Sequence, residues 1–577
     1  LSAWRAIQPD APLDPTVTAS PLLFALQSIS LGLLGGSEVA ARIMTVFGCV
    51  LLVVTPVLFR AWLGRSRALI LSLLLSFSPV LFAASRYSSP AVWSVLLVVI
   101  GLWALWSFTR EQRTSYGVGA VVAFACAALL TEAGGLVLLI ILIGAGVITG
   151  LTARGDNDTY RFEEDDTDTN SAATASFVSV FRSLPLASGA AIAALTVIVI
   201  STAFMVHPDG LSSVGELIGT FLRRFTEATP NAPALFPLVT SIFYEPFIWA
   251  FAAAGVIIAS QSGRMDTVTR FSLAWVLMAS IAAGLFRGAN ADHAVWFVVP
   301  LTVLASRAVI ALFSHDRSDD VLRVPSWARW VVALAMLAII AVFTLAFQEA
   351  SRLIVFNGDG SLAALERDST VIVLMLIPLL FTVITFFLVA SAWNDRAALQ
   401  GMGLGVLIFM LVSSMGSGWR IAVEGADRPN ELWHTAVITR DTFLLRETLN
   451  EIAQRASGGF PEVEIAAVAG ADSTVAWLLR DFRNTRFISD VTETFGAPVI
   501  IMPTTGDDIP GEISTAYVGQ DFIVERQWSI DTLQWTEIAA WWSQRVTRFA
   551  DTSIVRFIVW VRGDVYDSGD FIEDATG

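Results

Sequence analysis

The sequence predicts a mainly α, polytopic transmembrane helical bundle followed by a C-terminal extracytoplasmic α/β domain. Three observations predict it. Of the 577 residues, 55% are hydrophobic and 15% charged, and the mean hydropathy is +0.66, far from the balance of a water-soluble domain. About twelve runs approach the roughly 20 apolar residues that a helix needs to cross a bilayer. After residue 417 the hydrophobicity falls and helical and extended patterns alternate.

The runs cover 39–60, 67–84, 90–108, 115–131, 134–151, 186–206, 242–260, 270–286, 294–312, 329–347, 371–392 and 400–416. Together they define a membrane domain over 1–417. Its first part, 1–38, is expected to be an external loop and an interfacial helix. There the stretch "SPLLFALQSISLGLLGG" (20–36) is apolar but interrupted by Gln27, Ser28, Ser30 and glycines, which suits a helix lying along the interface or a marginal span. The chain starts at Leu1 with no basic or signal-like stretch before Trp4, so a thirteenth helix is expected upstream.

Arginine distribution orients the bundle. Arg60, Arg65 and Arg67, Arg110 and Arg113, Arg264 and Arg270, Arg317, Arg323 and Arg329, and Arg396 fall in alternate connections, which places those on the cytoplasmic side. Of the intervening turns, the first holds Arg86 alone, "TEAGG" (131–135) holds none and "FRGANADHAVW" (286–296) holds only Arg287, so these face outward. The acidic segment within 152–185 is then a cytoplasmic linker of disordered composition. The loop 207–241 and everything from 418 onward lie outside.

The domain over 418–577 reads as a helix at 442–456, a strand at 463–470, a helix at 473–482, a buried strand at 497–503, a helix at 530–546 and an extended segment at 553–562, an alternation typical of an α/β fold. No glycine-rich phosphate loop opens any of its helices. Five tryptophans, 528, 535, 541, 542 and 560, read as apolar core or an interfacial belt.

Composition excludes several classes. The two cysteines, Cys49 and Cys126, lie in apolar runs, leaving no disulfide framework or thiolate metal site. All 36 basic residues are arginine, so there is no Walker lysine and no Schiff base. A net charge of −15 argues against nucleic acid as a partner. His207, His315 and His434 are too scattered to suggest a metal centre.

Polar groups kept at membrane depth are costly and are therefore candidates for function. In "SPVLFAASRYSSPAVW" (78–93), Arg86 and Tyr87 sit on a turn between two apolar runs. A guanidinium there is suited to hold a phosphate in bidentate fashion and a phenol to add a hydrogen bond, against the commoner roles of snorkelling and interfacial anchoring. Arg287, in the 286–296 turn, is a further outward candidate. Carboxylates on the same side include Asp10, Asp14, Glu132, Glu245 and Asp292, any of which would serve as general base toward a hydroxyl acceptor. For Glu132 and Glu245 a helix-end cap or ion pair is the commoner role, and Asp292 with His293 is either a proton relay or a polar turn.

In sequence order these motifs resemble a known family. The segment from Ser20 to Pro90 is similar to the start of GT-C superfamily glycosyltransferases of the protein mannosyltransferase and aminoarabinose transferase group, which show "GxSExxARL", "LGRxxALLAALLLALSP" and "SRYxRPD" steps. "HPDG" (207–210), "FYEPF" (243–247), "DHAVWFVVPLTVLA" (292–305) and the tail "WLLRDFRNTRFISD" with "APVIIM" (477–502) extend the resemblance to glycosyltransferase-39-like, flippase-activity-associated membrane proteins. The resemblance implies an inner-membrane enzyme that takes a sugar from a polyprenyl-phosphate donor, with inversion, on the outer face. It also implies an acidic catalytic residue in the first external loop. Asp10 and Asp14 lie in that loop but match no motif, and the family's acidic pair falls upstream of Leu1. Glu132 is a further catalytic candidate; Arg86, Tyr87 and Arg287 would border the donor phosphate. The acceptor would be a protein, lipid or glycan, and no nucleotide or redox cofactor is needed, with a divalent cation left open. Two departures, Ala91 in place of the "RPD" aspartate and the lack of a basic residue in "TEAGG", keep an inactive paralogue or a flippase-associated scaffold in glycan assembly as the alternative. A transporter without covalent chemistry would show inverted repeats, and none is evident.

Overall fold

The computed structural model describes residues 1–7, 18–160, 183–261, 265–313, 325, 327–357, 369–425, 428, 430–433, 436–457, 463–470, 473–489, 496–504, 516–548 and 552–567. The chain divides into two compact units. The larger comprises Ala6–Val423 and Gln534–Arg548; the smaller comprises Leu1–Arg5, Glu424–Leu533 and Phe549–Gly577.

The larger unit is helical throughout. Its elements are α1 (Pro21–Leu34), α2 (Glu38–Val54), α3 (Arg65–Ser76), α4 (Pro79–Arg86), α5 (Ala91–Glu111), α6 (Thr114–Cys126), α7 (Ala133–Tyr160), α8 (Leu186–Ser201), α9 (Ser212–Arg223), α10 (Phe236–Tyr244), α11 (Pro246–Gln261), α12 (Thr267–Leu285), α13 (Val295–Phe313), α14 (Ala328–Asn357), α15 (Ser369–Ala392) and α16 (Asp395–Trp419). Every one of the apolar runs falls on this series. Among the described residues nine helices are long and apolar enough to cross a membrane, and two further runs are helices bent by 55° between α3 and α4 and by 92° between α10 and α11. The chain is a multi-pass membrane protein.

The remaining run, 186–206, differs from the expectation. Its helix stops at Ser201 after 16 residues, about 24 Å of rise, because Ala203, Phe204 and Met205 turn into the left-handed region with φ of 45°, 61° and 69°. The stretch 207–241, read as a loop, contains α9 and the start of α10. Local chemistry explains the main boundaries. Ser37 caps α2 by accepting from the Ala40 N–H at 3.1 Å, Asn394 caps α16 through the Ala397 N–H at 2.6 Å, and proline occupies the first turn of α4, where its missing N–H costs nothing. Small residues let helices approach closely: a methyl group at Gly255 of α11 would meet the Leu304 carbonyl of α13, the backbone proximity on which membrane helix pairs rely.

The smaller unit is built on one six-stranded sheet of order β1-β5-β6-β4-β2-β3, where β1 is Ala436–Ile438, β2 Ile465–Val468, β3 Thr485–Ile488, β4 Val499–Thr504, β5 Tyr517–Trp528 and β6 Thr552–Arg562. β3, β2 and β4 are parallel, and the rest of the sheet is antiparallel. Leu445 and Leu449 of the helix α17 (Asp441–Ser457) pack over Ile465, Val499, Phe522 and Val559 in one buried cluster. A shorter helix, α18 (Thr474–Leu478), joins β2 to β3.

Two readings of this part change. The span 530–546 is not one helix but two 3-10 turns, Ile530–Thr532 and Trp535–Glu537, followed by the short helix α19 (Ile538–Gln544). The first turn is closed by Ser529, whose hydroxyl accepts from Asp531 N–H at 3.4 Å, and Gln534 and Glu537 make a reciprocal cap for the second. Residues 534–548 also belong to the larger unit. There the Trp542 indole N–H donates to the Phe243 carbonyl at 2.9 Å and Gln544 donates to the Gln348 carbonyl at 2.7 Å.

Candidate active site

Glu132, Asp292 and His293, separated by up to 161 residues in sequence, meet at one point. Glu132 reaches it from a break between helices. After α6 the backbone widens into a π-helical turn over Ala127–Thr131, a form that recurs at functional sites. The Thr131 hydroxyl donates to the Ala127 carbonyl at 2.6 Å and accepts from Ser94 at 2.7 Å, which satisfies the groups the turn exposes. Glu132 is then fully extended, with φ −168° and ψ 174°, and α7 begins at the next residue. A methyl group at Gly134 would run into the His293 imidazole and the Glu132 carboxylate. Glycine is required at that position by contact.

Asp292 and His293 come from a 3-10 turn, Ala291–Ala294, at the head of α13. The Asn290 backbone N–H donates to His293 Nδ1 at 2.9 Å, so the neutral ring carries its proton on Nε2. Nε2 faces Glu132 Oε1 at 3.4 Å, and Asp292 Oδ1 is 3.4 Å from Nδ1. Both distances suit charge attraction and are too long for good hydrogen bonds. Thr229 donates to Asn290 Oδ1 at 3.0 Å and fixes the turn from outside. The ring is wholly buried, against Trp296 with centroids 4.6 Å apart and edge-on to Phe286.

Ser89 donates to Asp292 Oδ2 at 2.8 Å, which ties the turn that follows Arg86 and Tyr87 to the cluster. Glu132 Oε1, Asp292 Oδ1 and His293 Nε2 make no hydrogen bond of good geometry among the described residues, and their close polar contacts are the 3.4 Å ones within the cluster. Buried polar atoms are usually better satisfied than this, which leaves the three able to take a further partner.

Arg224 supplies the local cation. It acts electrostatically on Glu132, Asp292 and His293 alike, and its carbonyl accepts from the Gly288 N–H at 2.7 Å. Gly288 leaves room for the arginine's aliphatic stem, since a methyl group there would collide with it. The neighbouring Arg223 is already engaged by Glu216, whose carboxyl it holds below the usual range by hydrogen bonding and charge. Reasoning from sequence missed both Arg224 and Ser89. The signal for Arg224 was a pair of arginines in a connection on the arginine-poor side.

The other candidates lie elsewhere or at the margin. Arg86 is exposed, with its guanidinium 5.6 Å from the centre of the Phe82 ring, and Tyr87 is half-buried. Arg287 is exposed on the loop that leads to Asn290, and its carbonyl accepts from the Thr229 N–H at 3.3 Å. Glu245 is buried at the break between α10 and α11, where it receives the Ser78 hydroxyl. It is not part of the cluster. Asp10, Asp14 and His434 lie outside the described residues. Among the described residues no three His, Cys, Asp or Glu side chains are arranged to hold a metal ion.

Comparison with known proteins agrees with this architecture. The sequence pattern of the dolichyl-phosphate-mannose-protein mannosyltransferase family matches residues 16–155, a segment that includes Arg86, Tyr87, Ser89 and Glu132. No curated protein sequence matches the chain. Among solved structures, ArnT from Cupriavidus metallidurans in the apo state is similar with a TM-score of 0.50 and 14% identity, covering 98% of this chain and 93% of that one. The same protein bound to undecaprenyl phosphate gives a TM-score of 0.51 and 13% identity, covering 95% of this chain and 88% of that one. The chain has the GT-C membrane fold of the ArnT structures.

Proposed function

We propose that the chain is a membrane glycosyltransferase that moves a sugar from a polyprenyl-phosphate donor to a hydroxyl of a protein, lipid or glycan acceptor. Transfer takes place on the outer face of the cell membrane, where the smaller unit also lies. The observation that carries this reading is the cluster of Glu132, Asp292 and His293, whose mutual contacts are too long for good hydrogen bonds, with Arg224 acting on all three. Support comes from the shared fold with a protein that has been captured with undecaprenyl phosphate and from the family pattern over residues 16–155.

In this mechanism the acceptor oxygen attacks the anomeric carbon from the side opposite the phosphate. The bond from that carbon to the phosphate oxygen breaks, and polyprenyl phosphate leaves with the electron pair. Glu132 takes the acceptor's proton, and the His293 N–H on its other side steadies the carboxylate until the proton arrives. Arg224, with Arg287 and Arg86 on adjoining turns, offsets the charge that develops on the leaving phosphate. Asp10 and Asp14 are further candidate acids of the first external loop.

The test uses the protein in lipid nanodiscs with a radiolabelled polyprenyl-phosphate sugar and follows release of the sugar from the lipid. Glu132→Gln should lower kcat by about 100-fold or more, and Arg224→Ala should chiefly raise the KM for the lipid donor. Donor binding without turnover in the unmodified protein would instead support a scaffold that has lost activity. For orientation, cysteine at exposed Asp209 should react with an impermeant reagent on intact cells and cysteine at Arg113 should not; the reverse pattern refutes the outward placement.

A further inference from the structure

The chain keeps a second buried carboxylate that the proposed transfer does not use. Glu245 is 1% exposed, and it stands where two broken helices meet. One break separates α3 from α4 at Ser78-Pro79, and the other separates α10 from α11 at Glu245-Pro246. The Ser78 hydroxyl donates to Glu245 Oε1. A carboxylate from one break therefore holds the capping residue of the helix that starts at the other.

Capping alone does not account for it. Ser78 already caps α4 from within, since its Oγ accepts from the Leu81 N–H at 3.2 Å. Burying a carboxylate costs several kcal/mol, and Oε2 has no hydrogen-bond partner among the described residues, so the arrangement is a poor way to gain stability. What it fixes is direction. α4 has eight residues, a rod of about 12 Å, and three residues past its end Ser89 donates to Asp292. A tilt of about 5° at Glu245 moves the far end of such a rod by about 1 Å.

We infer that Glu245 is a positioning residue of the candidate active site, acting through Ser78 and α4 to bring Ser89 onto Asp292. This rests on the transferase reading for its effect on turnover, but the placement itself is testable without it. Cysteines introduced as Ser89→Cys and Asp292→Cys should join readily on mild oxidation, because the native side chains are in contact and Cys49 and Cys126 are buried. Adding Glu245→Ala should cut the yield of that disulfide several-fold, and Glu245→Gln, which keeps an acceptor oxygen, should restore it. If Glu245→Ala does not accumulate, Ser78→Ala carries the same test. In the transfer assay Glu245→Ala should lower kcat by about 10- to 100-fold with the donor KM unchanged. It should cost little more in a Ser89→Ala background. An unchanged disulfide yield, or losses from Glu245→Ala and Ser89→Ala that multiply, would overturn the inference. An absent transferase activity with a disulfide that depends on Glu245 would leave the placement standing and remove only the reaction.

Discussion

Among the described residues His293 is the one group in close contact with both Glu132 and Asp292, so removing it should be costly in a way that depends on Glu132. Because Nδ1 accepts from the Asn290 N–H, the neutral ring turns its Nε2–H toward Glu132 across 3.4 Å, and the expected coupling is that of a hydrogen bond to a charged group, about 1.5–3 kcal/mol. His293→Gln strands Glu132 and Asp292 together in a site that is 5% exposed at Glu132, and should destabilise the protein by about 3–5 kcal/mol. Glu132→Gln removes one carboxylate and should cost less. The double variant should be more stable than the sum of the two predicts, by the coupling energy. The assay is reversible denaturation of the purified protein in one detergent, titrated with a denaturing detergent and read by near-ultraviolet absorbance of the buried tryptophans. A coupling under about 0.5 kcal/mol, the scatter expected of independent sites, would mean that the imidazole and the carboxylate do not act on each other, and the cluster would lose its basis as a proton-handling unit.

Three further outcomes are expected. Gly134→Ala should destabilise by about 1–3 kcal/mol through overpacking and abolish turnover, because its methyl group displaces the His293 ring; normal activity would show that the ring has room to move. Arg224→Ala should raise the donor KM at least tenfold more than Arg223→Ala, since Arg223 is engaged by Glu216; equal effects would remove the distinction between the two. In the smaller unit Phe522→Ala should cost about 3–5 kcal/mol, as Phe522 is 2% exposed in the sheet core, and limited proteolysis should then cut the sheet unit first.

The bundle was legible because a bilayer constrains sequence so strongly. Each span must be apolar over its length, so composition alone located the helices. The two breaks were not legible in that way, since 67–84 and 242–260 each read as one continuous run, although Pro79 and Pro246 disfavour the helical conformation at the residue before each. The meeting of Glu132 with His293 was not legible. Each sits beside apolar helices in its own stretch, and only the packing of α12 against α7 and α13 brings the two turns together. Arg224 follows an amphipathic helix inside what reads as a loop, and no local pattern separates it from Arg223. In the C-terminal part β5 was missed because Gly519, Gln520 and Asp521 interrupt its apolar alternation, while Phe522 and Val524 point inward. The segment 530–546 has helical periodicity, yet that periodicity serves two successive turns and a helix of seven residues.

The opposite end of α13 shows what a structural ion cluster looks like in this protein. Arg307 lies 14 residues beyond His293, about 21 Å along the helix. There Asp266, at the residue preceding α12, accepts from the Arg307 guanidinium and the Thr269 hydroxyl, with Arg67 at 3.8 Å. Arg67 also donates to Ser306 at 3.0 Å and to the Val303 carbonyl at 3.3 Å. In this group the charges meet partners on several helices, and the arrangement closes on itself. At the Glu132 end the side chains are more deeply buried, yet three of their polar atoms make no hydrogen bond of good geometry among the described residues. If stability alone had shaped both ends, the deeper one would be the better satisfied. The contrast yields a separable expectation. Asp266→Ala should lower stability by about 1–3 kcal/mol through the lost ion pairs and the lost Thr269 hydrogen bond, while donor affinity and kcat hold within about twofold in the protein that remains folded. A loss of turnover in Asp266→Ala comparable to that of Glu132→Gln would show that the two ends are coupled through α13, and the division between a structural and a functional cluster would fail.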